Sequence, residues 1–342
     1  MVENRSFFQE MLHSLCLNSH KHSSCIMELY DGMEPILISQ GAFGIVYKVQ
    51  HRNTNEIFAM KIVRRDESQN NGVPAMVLRE IALLRELDHP NIVQLKACII
   101  GNGQCSLIFE FVESDLHKVI IQHHDLGFLD PSLAKSFLFQ LCCGLAHCHD
   151  HEIIHRDLKP LNLLVSANKI LKIADFGLAR SYHPGHTRRL TREVMTMWYR
   201  CPEILLGIPM YGLAADIWSV GCIFAEMLAL QPLFPGPHVA EIEQIMLIFS
   251  QQGTPNEQTW PGVTRLAYYN PVFPQFSKRP FHPSITDRIE HNGLNLLEGF
   301  LTINPQNRIT ARQALDHPYF TDLSGERILS RPRLLVPFIT VL

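Results

Sequence analysis

Between Pro35 and about residue 112 the chain alternates short apolar, β-branched runs with polar breaks: Ile36 to Ile38, Ile45 to Val49, Ile57 to Val63 and Leu107 to Val112. Glycine and asparagine punctuate the runs, so the pattern predicts strands joined by turns. One stretch changes period. Val77, Ile81 and Leu84 recur at intervals of four and three, which lays an apolar stripe along a helix starting near Pro74 and keeps Glu80 close to that stripe. Past residue 113 the spacing is mostly helical, over Leu133 to Asp150, Ala215 to Leu230 and Val239 to Ser250. Proline and aromatic residues crowd positions 255 to 283, predicting irregular chain there before a last helix near Thr310. Residues 1 to 32 show no sustained period and are read as a flexible extension. The chain therefore divides into that extension, a β-rich lobe over 33–112, a mainly helical lobe over 113–322 and a tail over 323–342: an α+β protein of two lobes.

Composition changes this picture little. With 342 residues, 46% hydrophobic and 18% charged, the chain can bury a large core or two adjoining ones. A formal charge of −3 and a pI near 6.6 give no electrostatic reason to expect a nucleic-acid or membrane partner. Nine cysteines, an odd number scattered from Cys16 to Cys222, do not form a secreted disulfide framework and point to a reducing compartment, the nucleus or cytoplasm. No apolar run approaches the roughly 18 residues of a membrane span.

The strongest chemical signal is His155-Arg156-Asp157-Leu158-Lys159-Pro160-Leu161-Asn162, which fills the H-R-D-L-x-x-x-N pattern and is followed by Asp175-Phe176-Gly177. Phosphoryl transfer asks little covalent work of a protein; it needs an in-line hydroxyl and cations that neutralise the phosphate oxygens. Asp157 would orient the acceptor and take its proton, while Asn162 and Asp175 would hold Mg²⁺. Lys61, in Phe58-Ala59-Met60-Lys61, would reach the phosphates of ATP, with Glu80 as the carboxylate that orients it. Ser39-Gln40-Gly41-Ala42-Phe43-Gly44-Ile45-Val46 is an incomplete glycine loop. Ser39 replaces its first glycine, and Gly41 and Gly44 remain to admit phosphates close to the backbone. Alone, that stretch fits a phosphate cover and an ordinary hairpin equally. Cys142, Cys143, His147, Cys148, His149 and His151 raise zinc as a candidate. They lack a C-x-x-C pair and lie along one apolar helix, a spacing that points instead to core and helix-end residues.

These motifs resemble the eukaryotic protein kinases over roughly residues 36 to 322, and more narrowly the cyclin-dependent kinases. The narrower likeness rests on Gly72 to Glu80, where Ala75-Met76 replace the usual Ser-Thr of the cyclin-binding helix. It rests also on Asp175 to Arg180, Trp198-Tyr199-Arg200, Asp216 to Ser219 and Gly253-Thr254-Pro255. The resemblance implies a two-lobed kinase fold and ATP held between the lobes. Ile38, Val46, Ala59 and Leu164 would pack on the nucleotide, backbone groups of Glu110 and Val112 would meet the adenine edge, and Asp115 the ribose. Lys159 with Thr196 implies a serine/threonine acceptor. Val194 and Arg200 imply a pocket for a following proline. Thr191 falls at the activating phosphorylation position, where an activating kinase would act and Arg79, Arg156 and Arg180 would clamp the phosphate. Ala42-Phe43 replace the family's inhibitory Thr-Tyr pair, and His183, His186, Arg188, Arg189 and Arg192 make the activation segment basic. Glu203 with Arg308 implies a buried ion pair, and Asp216 a brace for the catalytic loop. The partners implied are a cyclin and Ser/Thr-Pro protein substrates. Two alternatives stay open: a pseudokinase scaffold, and a mitogen-activated-type kinase, whose T-x-Y pair is absent from Thr191-Arg192-Glu193.

Overall fold

A computed structural model describes residues 34–41, 44–63, 74–101, 104–182, 196–236, 241–326 and 338–340. The chain forms two compact units. The first comprises Met1–Asp88, Val93–Val112 and Pro332–Leu342; the second comprises His89–Ile92 and Glu113–Arg331.

The first unit is built on strands β1 (Ile36–Gly41), β2 (Gly44–Gln50), β3 (Ile57–Val63), β4 (Leu95–Gly101) and β5 (Gln104–Glu110), with helix α1 (Ala75–Glu86) packed against β4. Its sheet runs in the order β1-β2-β3-β5-β4, and a last short strand, β11 (Phe338–Thr340), lies beside β4. Period-two alternation sorts the side chains. Ile45, Tyr47 and Val49 of β2, Phe58, Met60 and Ile62 of β3, Ala97 and Ile99 of β4 and Ile108 of β5 form one buried cluster. Val46 pairs with Lys61 and Lys48 with Ala59 across β2 and β3, so these four share the opposite, half-buried face. Gly44 has φ +154°, and a Cβ there would overlap the Ile62 carbonyl oxygen, so only glycine admits this close approach of β2 to β3. Among the described residues, and apart from its chain neighbours, a Cβ at Gly41 would meet no atom within 4 Å.

The second unit is mainly helical. Helix α2 (Leu116–Gln122) begins at Asp115, whose carboxylate accepts from the Lys118 N–H at 2.9 Å. Helix α3 (Pro131–Asp150) has Pro131 in its first turn and Asp130 as its cap. Helices α4 (Pro202–Leu205), α5 (Ala214–Ala229) and α6 (Glu241–Gln252) follow. They are succeeded by α7 (Pro283–Thr286), α8 (His291–Phe300) and α9 (Ala311–Leu315). Helix α5 is buried almost all round and packs against α3 and α8, as expected for an apolar helix at the centre of a unit. Short strands β6 (Ser114–Asp115), β8 (Leu163–Val165) and β9 (Leu171–Ile173) form one small sheet, and β7 (Ile153–Ile154) with β10 (Arg180–Ser181) another. They clamp the ends of the segment that carries the catalytic motif. Among the described residues no helix is long and apolar enough to cross a membrane.

Inside the second unit Tyr199 Oη donates to Glu226 Oε2 at 2.7 Å, and burial lifts the Glu226 carboxyl to about 7 from its ordinary 4.5. A buried carboxyl with a raised folded pKa holds its proton in the folded state while the unfolded chain has released it. Its contribution to stability is therefore complete below pH 4.5 and is lost as pH rises through 7. The Glu226→Gln variant lacks this loss. Its stability relative to wild type is expected to rise by on the order of 3 kcal/mol between acid and neutral pH, read by urea denaturation across that range.

Candidate active site

The first unit holds a lysine paired with a carboxylate. Lys61 Nζ donates to Glu80 Oε1 at 2.9 Å and to Oε2 at 3.0 Å. Lys61 reaches out from the middle of β3, and Glu80 is buried on the same face of α1 as Val77, Ile81 and Leu84. A charge this deep needs a partner, and both oxygens find one. Val46 and Ala59 flank Lys61 on its face of the sheet. Ile38 lies at an irregularity in the β1–β2 register between Leu37 and Ser39, and is exposed. Glu110 closes β5: its N–H donates to the Gln94 carbonyl at 3.1 Å, and its side chain accepts from the Gln94 N–H at 2.8 Å. Val112, half-buried, is the last residue of this run. Arg79 is half-buried on α1.

In the second unit the catalytic motif folds as a loop between β7 and β8. Asp157 is its hub. Lys159 Nζ donates to Asp157 Oδ2 at 2.7 Å and to Thr196 Oγ1 at 3.1 Å. The Thr196 N–H donates to Asp157 Oδ1 at 3.2 Å. Asn162 Nδ2 donates to both the main-chain oxygen and Oδ2 of Asp157, at 2.8 and 3.0 Å. Both amide protons of Asn162 are thus spent on Asp157, which turns Oδ1 into the group that a cation would meet. The Ala174 N–H donates to the Asn162 carbonyl at 2.9 Å, bringing Asp175 beside this end of the loop. Asp175 adopts φ +63°, ψ +71°, a left-handed conformation that a short polar side chain tolerates. Two hard oxygen donors from an Asn and an Asp suit Mg²⁺, so these residues fit the cation.

The loop is braced from beneath. Asp216, on α5 and fully buried, accepts from the N–H groups of His155 and Arg156 at 2.8 and 2.9 Å and from His149 Nε2 at 3.0 Å. Burial alone would raise its pKa; the hydrogen bond and charge of His149, with the Arg156 N–H, outweigh burial and hold the carboxyl below its ordinary value. His155 accepts from the Asp157 N–H at Nδ1, 3.2 Å, and meets the Ala174 carbonyl through Nε2 at 3.0 Å, a pairing that puts the ring proton on Nε2. Its ring stands edge-on to Phe176, with centroids 4.9 Å apart. Arg156 takes φ +70° and donates to the Leu178 carbonyl and to Tyr211 Oη at 2.7 and 3.0 Å. Arg180 donates to the Ala179 carbonyl at 2.9 Å. Asp115 serves α2 as cap and pairs with Lys118, while Leu164 is half-buried in β8. Arg200 pairs with Glu241 at 2.8 Å.

Several sequence expectations lie outside the described residues: those on 1 to 32, on Ala42 and Phe43, on Thr191 and Val194, and on His183, His186, Arg188, Arg189 and Arg192. Sequence reasoning passed over the His149–Asp216 contact, grouping His149 with neighbouring cysteines instead. Among the described residues no cluster of three or more His, Cys, Asp or Glu could hold a metal, and Cys142 and Cys148 are buried thiols that burial pushes well up from the ordinary value. Residues 36–320 fit the family model described as a protein kinase domain.

Proposed function

Because this chain belongs to the protein kinase family, we propose that it is a serine/threonine kinase of the cyclin-dependent type, transferring the γ-phosphoryl group of ATP to hydroxyls followed by proline. The observation that carries the reading is the Lys159 ammonium held between Asp157 and Thr196. A cation there faces the oxygens of the acceptor side, and the Asp157 carboxylate keeps Oδ1 and Oδ2 oriented for an incoming hydroxyl.

In this reading Asp157 positions the hydroxyl and takes its proton, and Lys159 offsets charge on the phosphoryl oxygens as the bond forms. Asn162 and Asp175 hold Mg²⁺, which when bound neutralises phosphate charge. Lys61, aimed by Glu80, binds the non-transferred phosphates, and Val46, Ala59, Ile38 and Leu164 pack on the base, with Glu110 and Val112 at its edge and Asp115 at the ribose. A cyclin partner is supported by α1, where Ala75, Leu78 and Ala82 leave an exposed apolar stripe opposite Glu80. Phosphorylation of Thr191 by an activating kinase, clamped by Arg79, Arg156 and Arg180, completes the proposal, as does work in the nucleus or cytoplasm.

The test uses paired Ser-Pro and Ser-Ala peptides with the chain alone and co-purified with candidate cyclins. Expected are about tenfold or greater preference for Ser-Pro, equivalent to 1.4 kcal/mol or more of discrimination, and strong dependence on the partner. Equal use of Ser-Ala overturns the proline preference. Turnover by the unphosphorylated chain alone at about 1–100 s⁻¹ overturns the partner requirement.

A further inference from the structure

The two edges of the first unit's sheet differ. At one edge, β1 pairs only with β2 among the described residues, and Ile36, Leu37 and Ile38 are 49, 40 and 41% exposed. At the other, Ala97, Cys98 and Ile99 of β4 are 4, 1 and 1% exposed, and β11 pairs with β4 in parallel register, Phe338 opposite Cys98, Ile339 opposite Ile99 and Thr340 opposite Ile100. The sequence of β4, Leu-Lys-Ala-Cys-Ile-Ile-Gly, has no proline and a single charge. Left bare, such an edge presents a row of unpaired N–H and C=O groups that templates a further strand. The occupant comes from the far end of the chain, where Leu334-Leu335-Val336-Pro337-Phe338-Ile339-Thr340-Val341-Leu342 is rich in strand-forming residues.

We propose that the outer edge of β4 is a strand-docking site, that Phe338–Thr340 is its resident and displaceable ligand, added by main-chain pairing, and that its docking steadies α1. The site has a functional consequence. β4 is the strand on which α1 packs, and α1 carries Glu80, the partner of Lys61. Docking of β11 thus supports the element that aims the lysine. That consequence for activity rests on the proposed kinase function; the docking itself does not.

The test is amide hydrogen exchange on the full chain and on its Phe338→Pro, Ile339→Pro and doubly substituted variants. Successive residues of an edge strand point their N–H groups alternately toward the sheet and toward solvent, and proline is tolerated only where the N–H faces solvent. One single variant should therefore behave as wild type. The other, and the double variant, should exchange about tenfold faster or more at alternate amides of Cys98, Ile99 and Ile100, those facing away from β5. A synthetic peptide copying residues 333–342 should restore protection and, in a transfer assay, any lost rate. Unchanged β4 exchange in the double variant overturns the docking site. Protection that falls on dilution of the wild type, with a matching loss of dimer mass, overturns the intramolecular assignment in favour of strand exchange between copies. Altered exchange with no transfer activity in any sample leaves the docking site standing and counts against the proposed function instead.

Discussion

Replacing Asp157 by asparagine is expected to slow phosphoryl transfer by about 10²–10⁴-fold, the usual contribution of a positioned general base. Asparagine has nearly the same shape, so most of the loop geometry should persist. Its Oδ1 can still accept from the Thr196 N–H, and Asn162 still donates to the main-chain oxygen of residue 157. What disappears is the charge: the amide neither takes a proton nor pairs with the Lys159 ammonium, now 2.7 Å from Asp157 Oδ2. Rates in single turnover, taken beside a thermal melt, separate the two effects. The expected result is a large rate loss in a chain that still melts as a folded protein; Asp157 is buried and bonded to Lys159 and Asn162, so the melt is read separately for the cost of setting an amide against those donors. An unchanged rate would remove Asp157 from its assigned role.

The largest effect on stability is expected at Arg308. Its guanidinium donates to Glu203 at 2.7 and 3.0 Å, to the Ala214 carbonyl at 2.6 Å and to the Thr302 carbonyl at 2.9 Å, and it stands 5.2 Å from the centroid of Trp218. Burial alone would lower its pKa, but the adjacent Glu203 carboxylate outweighs burial and raises it. The pair is dry, so removing one partner strands the other. Arg308→Leu leaves the Glu203 carboxylate, itself 2% exposed, without its cation, and is expected to cost about 3–5 kcal/mol in urea denaturation. The double variant Glu203→Leu with Arg308→Leu should lose less than the sum of the two single variants, because no buried charge is left behind. Full additivity would mean that the two side chains act independently.

Much of this was legible in the sequence because its signals are local. The Ile57 to Val63 run is a short apolar stretch bounded by polar turn residues, and the observed β3 has the same ends. The Val77, Ile81, Leu84 stripe gave α1 and put Glu80 on its buried face. Motif spacing located Asp157, Lys159 and Asn162, which share one hydrogen-bond network. The losses have physical reasons. β4 is buried on successive residues, Ala97, Cys98 and Ile99, so it shows none of the alternation that marks a half-exposed strand. Helix α8 carries Gly293 and Gly299 and follows the proline-rich tract, and its weak local propensity hid its buried Leu296, Leu297 and Phe300. β11 falls within the stretch that the sequence marks only as a tail, because its partner β4 lies more than two hundred residues earlier and no local pattern announces such a pairing. His149 was obscured by neighbouring cysteines and histidines; only the fold shows that it reaches Asp216.

The central claim, transfer of phosphate to serine and threonine, is tested most directly by incubating the chain, co-purified with a cyclin, with γ-labelled Mg-ATP and three peptides. These differ only in carrying serine, threonine or tyrosine before proline. Label on serine and threonine, none on tyrosine, and none anywhere with Asp157→Asn is the predicted result. Label on tyrosine, or no label on any peptide despite measurable ATP binding and a phosphorylated Thr191, would contradict it.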